Sequence, residues 1–272
     1  AGSARHLDQA TRTIVKKPGL RSYLNILSDK LKRADKAEHR FVAKSSLHFR
    51  VKFNGVEDYF LWDKVLDILE EAYREIGQKF GYFPEEAITV VLHTQQTFQA
   101  ATGSPAWADG LYDSALGRIQ IPTQGALTNR EWLRKVLRHE FVHALLHQRM
   151  GTRGRVPQWL NEGLAMQLAG DDWPDLDQVI DAEVTLIPLN SLEGSWGGFP
   201  GNLATMAYLE GNSATRFLIE RFGMERARAI VDTLAQGKPI GAAIKDRLFM
   251  DYQAFQEQWI VNLNEKLRGG NA

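Results

Sequence analysis

The sequence predicts an α+β fold: a small β-sheet subdomain, then a mostly helical subdomain, with a cleft between them. Three observations carry this. Short alternating or β-branched runs are confined to the first half of the chain, at residues 47–53, 88–93 and 118–122. Beyond them, apolar residues recur at helical spacing almost to the end, and strands followed by helices is the α+β order. Between the two regions lies a helix whose apolar flanks enclose His139, Glu140 and His143.

In chain order, residues 5–45 read as helical and charged, with Leu24, Ile26, Leu27 and Leu31 on one face and Pro18-Gly19 separating two pieces. This segment, 1–45, is either an arm packing on the main domain, 46–272, or the end of an upstream helical-repeat region. Leu47 through Phe53 alternates apolar and polar, a half-buried strand ended by Asn54-Gly55, with His48 on its polar face as a surface residue. An amphipathic helix follows, about Asp58 to Phe80, with Val65, Ile68, Leu69, Ala72, Tyr73 and Ile76 inward and Gly81 as its stop. Ile88 to His93 is continuous and β-branched, an inner strand. Thr94 caps a short helix near Gln95 to Ala101. Gly110-Leu111-Tyr112 and Arg118 to Pro122 flank a turn from Asp113 to Gly117, and the closing proline suits a sheet edge.

The next helix starts at the capping-box pattern of Thr128 and Glu131 and runs to about Met150. Val136, Leu137, Phe141, Val142, Leu145 and Leu146 make it a buried helix. His139 and His143, four residues apart, leave the same face one turn apart, so both imidazoles can meet one Zn²⁺. Two buried histidines and a glutamate without partners would be costly, and a metal removes the difficulty. Glu140, beside the first ligand, has the place of a general base acting on water. A catalytic zinc wants a third protein ligand and an open position. Glu162, in Trp159-Leu160-Asn161-Glu162-Gly163 on the helix Pro157 to Ala169, supplies the ligand. His147 extends the series by another turn, but it lies about 12 Å along the axis from His139 and about 80° around it. It is expected at the helix end, facing the dipole, and not on the metal.

From Asp171 to Asn202 the signals fade. Gly194 to Gly201 is a glycine-rich loop without the strand–loop–helix context of a phosphate cradle, and is expected beside the cleft. Helices at about Leu203–Phe222, Glu225–Gln236 and Tyr252–Leu267 finish the chain, with no internal repeat.

Composition bounds the function. The chain has 272 residues, 44% hydrophobic and 24% charged, with 33 basic and 33 acidic side chains, so nothing points to nucleic acid. Cysteine is absent, which leaves histidine and carboxylates as the metal ligands. No apolar run is long enough to span a bilayer. The chain opens on Ala1-Gly2-Ser3-Ala4, in the manner of a cloning scar or a processed terminus. The compartment is left open, with an extracytoplasmic setting, periplasmic or anchored, as the leaning, its signal or anchor absent from this chain.

The interval from His143 to Glu162, with Trp159-Leu160-Asn161-Glu162-Gly163-Leu164-Ala165, resembles the gluzincin metallopeptidases, the group that includes aminopeptidase N. Ala207-Tyr208 through Phe222-Gly223 and the tail around Trp259 are similar to bacterial peptidase MA-like proteins, which carry a small gluzincin domain, often after tetratricopeptide-like repeats. The resemblance covers roughly Ser46 to Leu267, and its specific motifs are the two ligand stretches. It implies zinc-dependent hydrolysis of a peptide or protein substrate, with zinc on His139, His143 and Glu162 and Glu140 as base. It also implies an oxyanion donor at Tyr208, whose alternative is a core tyrosine. Gly110, Leu111 and Tyr112 become the strand that takes the substrate backbone; their alternative is a plain hairpin. Aminopeptidases of the related group hold the substrate ammonium with glutamates, one in a Gly-x-Met-Glu-Asn stretch. The comparable Ala106 to Asp113 has no such motif, and Asp109 and Asp113 read as turn residues. The expectation is therefore an endopeptidase. The other readings are an aminopeptidase, or an idle zinc-binding interaction domain of a larger helical-repeat protein.

Overall fold

The computed structural model describes residues 18–55, 61–104, 108–123, 129–181 and 184–269. Helix α1 (Pro18–Glu38) leads into β1 (Phe41–Ser45) and β2 (Phe49–Asn54), then α2 (Trp62–Phe80), β3 (Ile88–His93) and α3 (Gln95–Thr102). Next come β4 (Leu111–Asp113), β5 (Arg118–Pro122), α4 (Arg130–Met150) and α5 (Gln158–Ala169). A short α6 (Leu176–Val179) and a 3₁₀ turn (Leu189–Leu192) precede α7 (Gly201–Phe222), α8 (Met224–Ala235), α9 (Ile240–Leu248) and α10 (Tyr252–Gly269). The result is α+β: one small mixed sheet, then helices.

The sheet has the order β1-β2-β3-β5-β4. β2, β3 and β5 run parallel, and β1 and β4 close the two edges antiparallel. Side-chain alternation gives it two unlike faces. Phe49, Val51, Phe53, Ile88, Val90, Leu92, Ile119 and Ile121 join the main core beneath α2 and α4. On the other face His93, Arg118 and Gln120 are buried but polar. There Arg118 meets Glu38 of α1 at 2.7 Å, and Gln120 Oε1 lies 3.0 Å from His93 Nε2.

Several local expectations fail for physical reasons. Residues 41–45 form a strand, not the end of a helix. Four of its five residues are exposed, so no alternation marks it, and pairing with β2 creates it. β5 lies inside the sheet, and β4 is the edge. Pro122 is tolerated because β4 faces only Arg118 to Gln120, so no neighbour on that side asks for its missing N–H. His48 is half-buried, not a plain surface residue: it stacks on Tyr73 with centroids 3.7 Å apart, and its Nδ1 lies 2.7 Å from Glu70 Oε2. Leu47, in the apolar phase of that strand pattern, is exposed and lies outside β2. Thr128 and residues 56–60 lie outside the described residues. Asn129 caps α4, its side chain accepting from Trp132 N at 2.9 Å. Thr94 caps α3 and Gly81 ends α2 in the left-handed conformation, as expected.

Among the described residues no helix is long and apolar enough to cross a membrane.

Candidate metal centre and cleft

Three elements meet over α4. Gly110, just before β4, lets the edge strand lie against this helix: a Cβ there would come 2.8 Å from Val136 Cγ1 and 3.3 Å from Glu140 Cγ. On the other side α5 and α7 cross through glycines. A Cβ on Gly163 would lie 2.5 Å from the Gly211 carbonyl oxygen, and one on Gly211 would lie 2.9 Å from that of Trp159. A larger residue at either place would force the helices apart. This contact sets Glu162, next to Gly163, and Tyr208, one turn before Gly211, into the same cleft.

His139 Nε2 and His143 Nε2 lie 3.4 and 3.5 Å from Glu162 Oε2. One ligand atom from each of the three residues falls within 4.8 Å of the others, a spacing that fits a single ion between them. Gln158 Nε2 donates to the second carboxylate oxygen at 2.8 Å, which leaves Oε2 to the imidazoles. His139 Nδ1 lies 2.6 Å from Asp171 Oδ2. His143 Nδ1 is buried with no hydrogen-bond partner among the described residues.

The electrostatics ask for positive charge at the centre. Burial disfavours a charged imidazole, yet Asp171 and Glu162 hold His139 well above the usual imidazole range. For His143 burial again opposes, and Glu162 raises it. Burial would raise Glu162, but the two facing imidazoles hold it well below the usual carboxylate range. A donor set that draws protons this strongly is one a divalent cation can occupy in their place. The residues present fit zinc, in type, number and spacing.

Glu140 is 8% exposed and faces the same cavity. Burial raises its pKa, and both imidazoles lower it. Tyr208 lies across from it, its ring stacked on Trp173 (5.7 Å) and edge-on to Trp196 (5.1 Å). Burial, then the charges of Glu162 and Glu140, raise the Tyr208 pKa, so its phenol keeps its proton.

The family model described as Peptidase MA superfamily matches residues 71–265. The chain belongs to the peptidase MA superfamily. The match spans the ligand helix, Glu162 and all the later helices of the cleft. No curated protein matches the chain.

The structure of this peptidase MA chain brings His139, Glu140, His143, Glu162, Tyr208, Gly110, Leu111 and Tyr112 around one cavity of about 560 Å³. Ser195, from the glycine-rich loop, lines it too. A second cavity of about 650 Å³, walled by Trp132, Val136, Met166 and Trp173, shares Gly110, His139, Glu140 and Tyr208 with the first. His147 stands in the last turn of α4, as expected, but it does not simply face the helix end. It lines the cavity and lies 2.9 Å from the Tyr112 hydroxyl, and burial lowers its pKa where a helix-dipole contact would raise it. Sequence reasoning also missed Asp171, Gln158, Trp173 and Trp196. Of these only Gln158, one turn before Glu162 on the same helix, had a readable spacing.

Proposed function

We propose that the protein is a zinc-dependent endopeptidase of gluzincin type, related to the aminopeptidase N group. The observation that carries the reading is the convergence of His139, His143 and Glu162 on one point, with Glu140 and Tyr208 facing the same cavity. Zinc held there would supply Lewis acidity, polarising the scissile carbonyl and acidifying water.

The chain's own groups do the rest. The buried Glu140 carboxylate takes the proton of the attacking water and passes it to the leaving amine. The Tyr208 hydroxyl donates to the oxyanion that develops on the former carbonyl. Leu111 and Tyr112, on the open edge of the sheet, hold the peptide backbone as an added strand.

The test is Glu140→Gln, with zinc content, fold and hydrolysis of a casein-like substrate measured together. The variant should keep zinc and fold and lose nearly all hydrolysis, because an amide cannot accept the water's proton. Zinc binding by the wild type with no cleavage would point instead to an idle interaction domain.

A further inference from the structure

Two contacts set the edge strand against the ligand helix. At one end Gly110 has no side chain, and a Cβ there would come 3.3 Å from Glu140 Cγ; at the other, the Tyr112 hydroxyl lies 2.9 Å from His147 Nδ1. Glu140 and His147 stand seven positions apart on α4, so the two contacts span about two turns, roughly 10 Å of helix. The strand needs such support. β4 is three residues long and pairs with β5 on one side, so its ladder supplies few hydrogen bonds. A strand that receives a peptide on its other edge must hold that edge at a fixed distance from the base, because small displacements at the reacting centre are costly.

His147 is free for this task. It is outside the group of possible metal ligands, and its side chain has no other hydrogen-bond partner among the described residues. The rings of Tyr112 and His147 also pack at 5.4 Å, tilted by 56°. Both line the cavity beside Glu140, so the contact lies next to the substrate's path.

We propose that the Tyr112–His147 hydrogen bond is a latch that fixes the peptide-binding edge strand against Glu140, which makes His147 a positioning residue. The assignment rests on the proposed peptidase reading, but its test does not depend on hydrolysis alone.

The experiment uses the zinc-loaded full chain and four variants: His147→Ala, His147→Asn, Tyr112→Phe, and Tyr112→Phe combined with His147→Ala. Two quantities are read: amide hydrogen exchange at Leu111 to Asp113, and KM and kcat on an internally quenched peptide. His147→Ala and Tyr112→Phe should each speed exchange about tenfold, as the loss of one hydrogen bond implies. Each should raise KM by a similar factor with a smaller change in kcat. The double variant should be no worse than either single one, because both remove the same bond. His147→Asn should restore both readouts, since its amide reaches the place of Nδ1. Zinc content should stay the same throughout. Unchanged exchange in His147→Ala, effects that add in the double variant, or loss of zinc would each overturn the latch. If the wild type cleaves nothing, the peptidase reading fails, and the exchange measurements still decide whether the latch exists.

Discussion

Asp171 Oδ2 lies 2.6 Å from Nδ1 of His139, while the same ring presents Nε2 to Glu162. The carboxylate fixes which nitrogen carries the proton and which faces the centre, and it makes the ring a stronger donor to a cation. His143 lacks such a partner on Nδ1 among the described residues, and faces Glu162 through Nε2 at 3.5 Å.

Asp171→Asn should therefore keep the fold and weaken zinc binding about 10- to 100-fold. His139→Ala should go further and abolish tight binding. Because a zinc ion held there would bind the native state, its loss should lower the melting temperature to that of the chelator-treated wild type. Competition with a chromophoric chelator measures the first effect and a thermal melt the second. Wild-type affinity in Asp171→Asn would show that the contact does not tune the site.

Tyr208→Phe isolates the hydroxyl. The ring is held between Trp173 and Trp196, and phenylalanine keeps both contacts. The variant should retain zinc and KM while kcat falls by about 10²–10³, the usual worth of one oxyanion donor. An unchanged kcat from steady-state kinetics would return Tyr208 to the core.

What was legible in the sequence was chemistry set by local spacing. His139 and His143 share a face because a helix has a fixed period, and Glu162 follows on a helix with its own start signal at Pro157. The same holds for Thr94 and Gly81, whose capping roles depend on neighbours within a turn. What stayed hidden depends on distant partners. β1 is a strand because β2 lies beside it. Asp171 reaches His139 only because Gly170 turns the chain at φ 78° after α5. His147 is the helix-end residue expected, but its contact with Tyr112 exists only because β4 lies against α4. α9, nine residues long, was too short for its periodicity to stand out.

Glu210 gives a stability prediction. It is fully buried on α7, and among the described residues both carboxylate oxygens lie within reach of a single donor, the Ile187 N–H, at 3.2 and 3.0 Å. Burial, only partly offset by that bond, pushes its pKa up to about 7. Between the unfolded value near 4.5 and 7 the native state binds more protons than the unfolded one. Stability contributed by this group is thus complete below about 4.5 and is lost as pH rises through 7. The loss is on the order of 3 kcal/mol. Glu210→Gln, which keeps the acceptor without the charge, should be more stable than wild type at pH 8 by up to about that amount. At pH 5 the two should nearly coincide. Denaturant unfolding at both pH values checks this, and an equal difference at both would dissociate the effect from ionisation.

The last prediction concerns which bond is cut. An aminopeptidase must hold a desolvated ammonium, and leaving that charge unpaired would cost several kcal/mol. The carboxylates around this cleft are mostly engaged elsewhere. Asp171 serves His139, and Asp172 meets Lys135 at 2.5 Å. Asp113 meets Lys30 at 2.8 Å and accepts from the backbone N–H groups of Ala115 and Leu116 in its own turn. Among the described residues, Asp109 is left as a single carboxylate on the wall of the second cavity. The two cavities also extend from the same four shared residues, Gly110, His139, Glu140 and Tyr208, so the reacting centre has room on both sides of a chain. An edge strand can hold an internal segment through its main chain and needs no terminus. N-terminally acetylated peptides should therefore be cleaved at internal bonds, at rates close to those of the free peptides, with product masses locating each cut. Stepwise release of single N-terminal residues, abolished by acetylation, would show that the free ammonium is recognised after all, with Asp109 as the first residue to substitute.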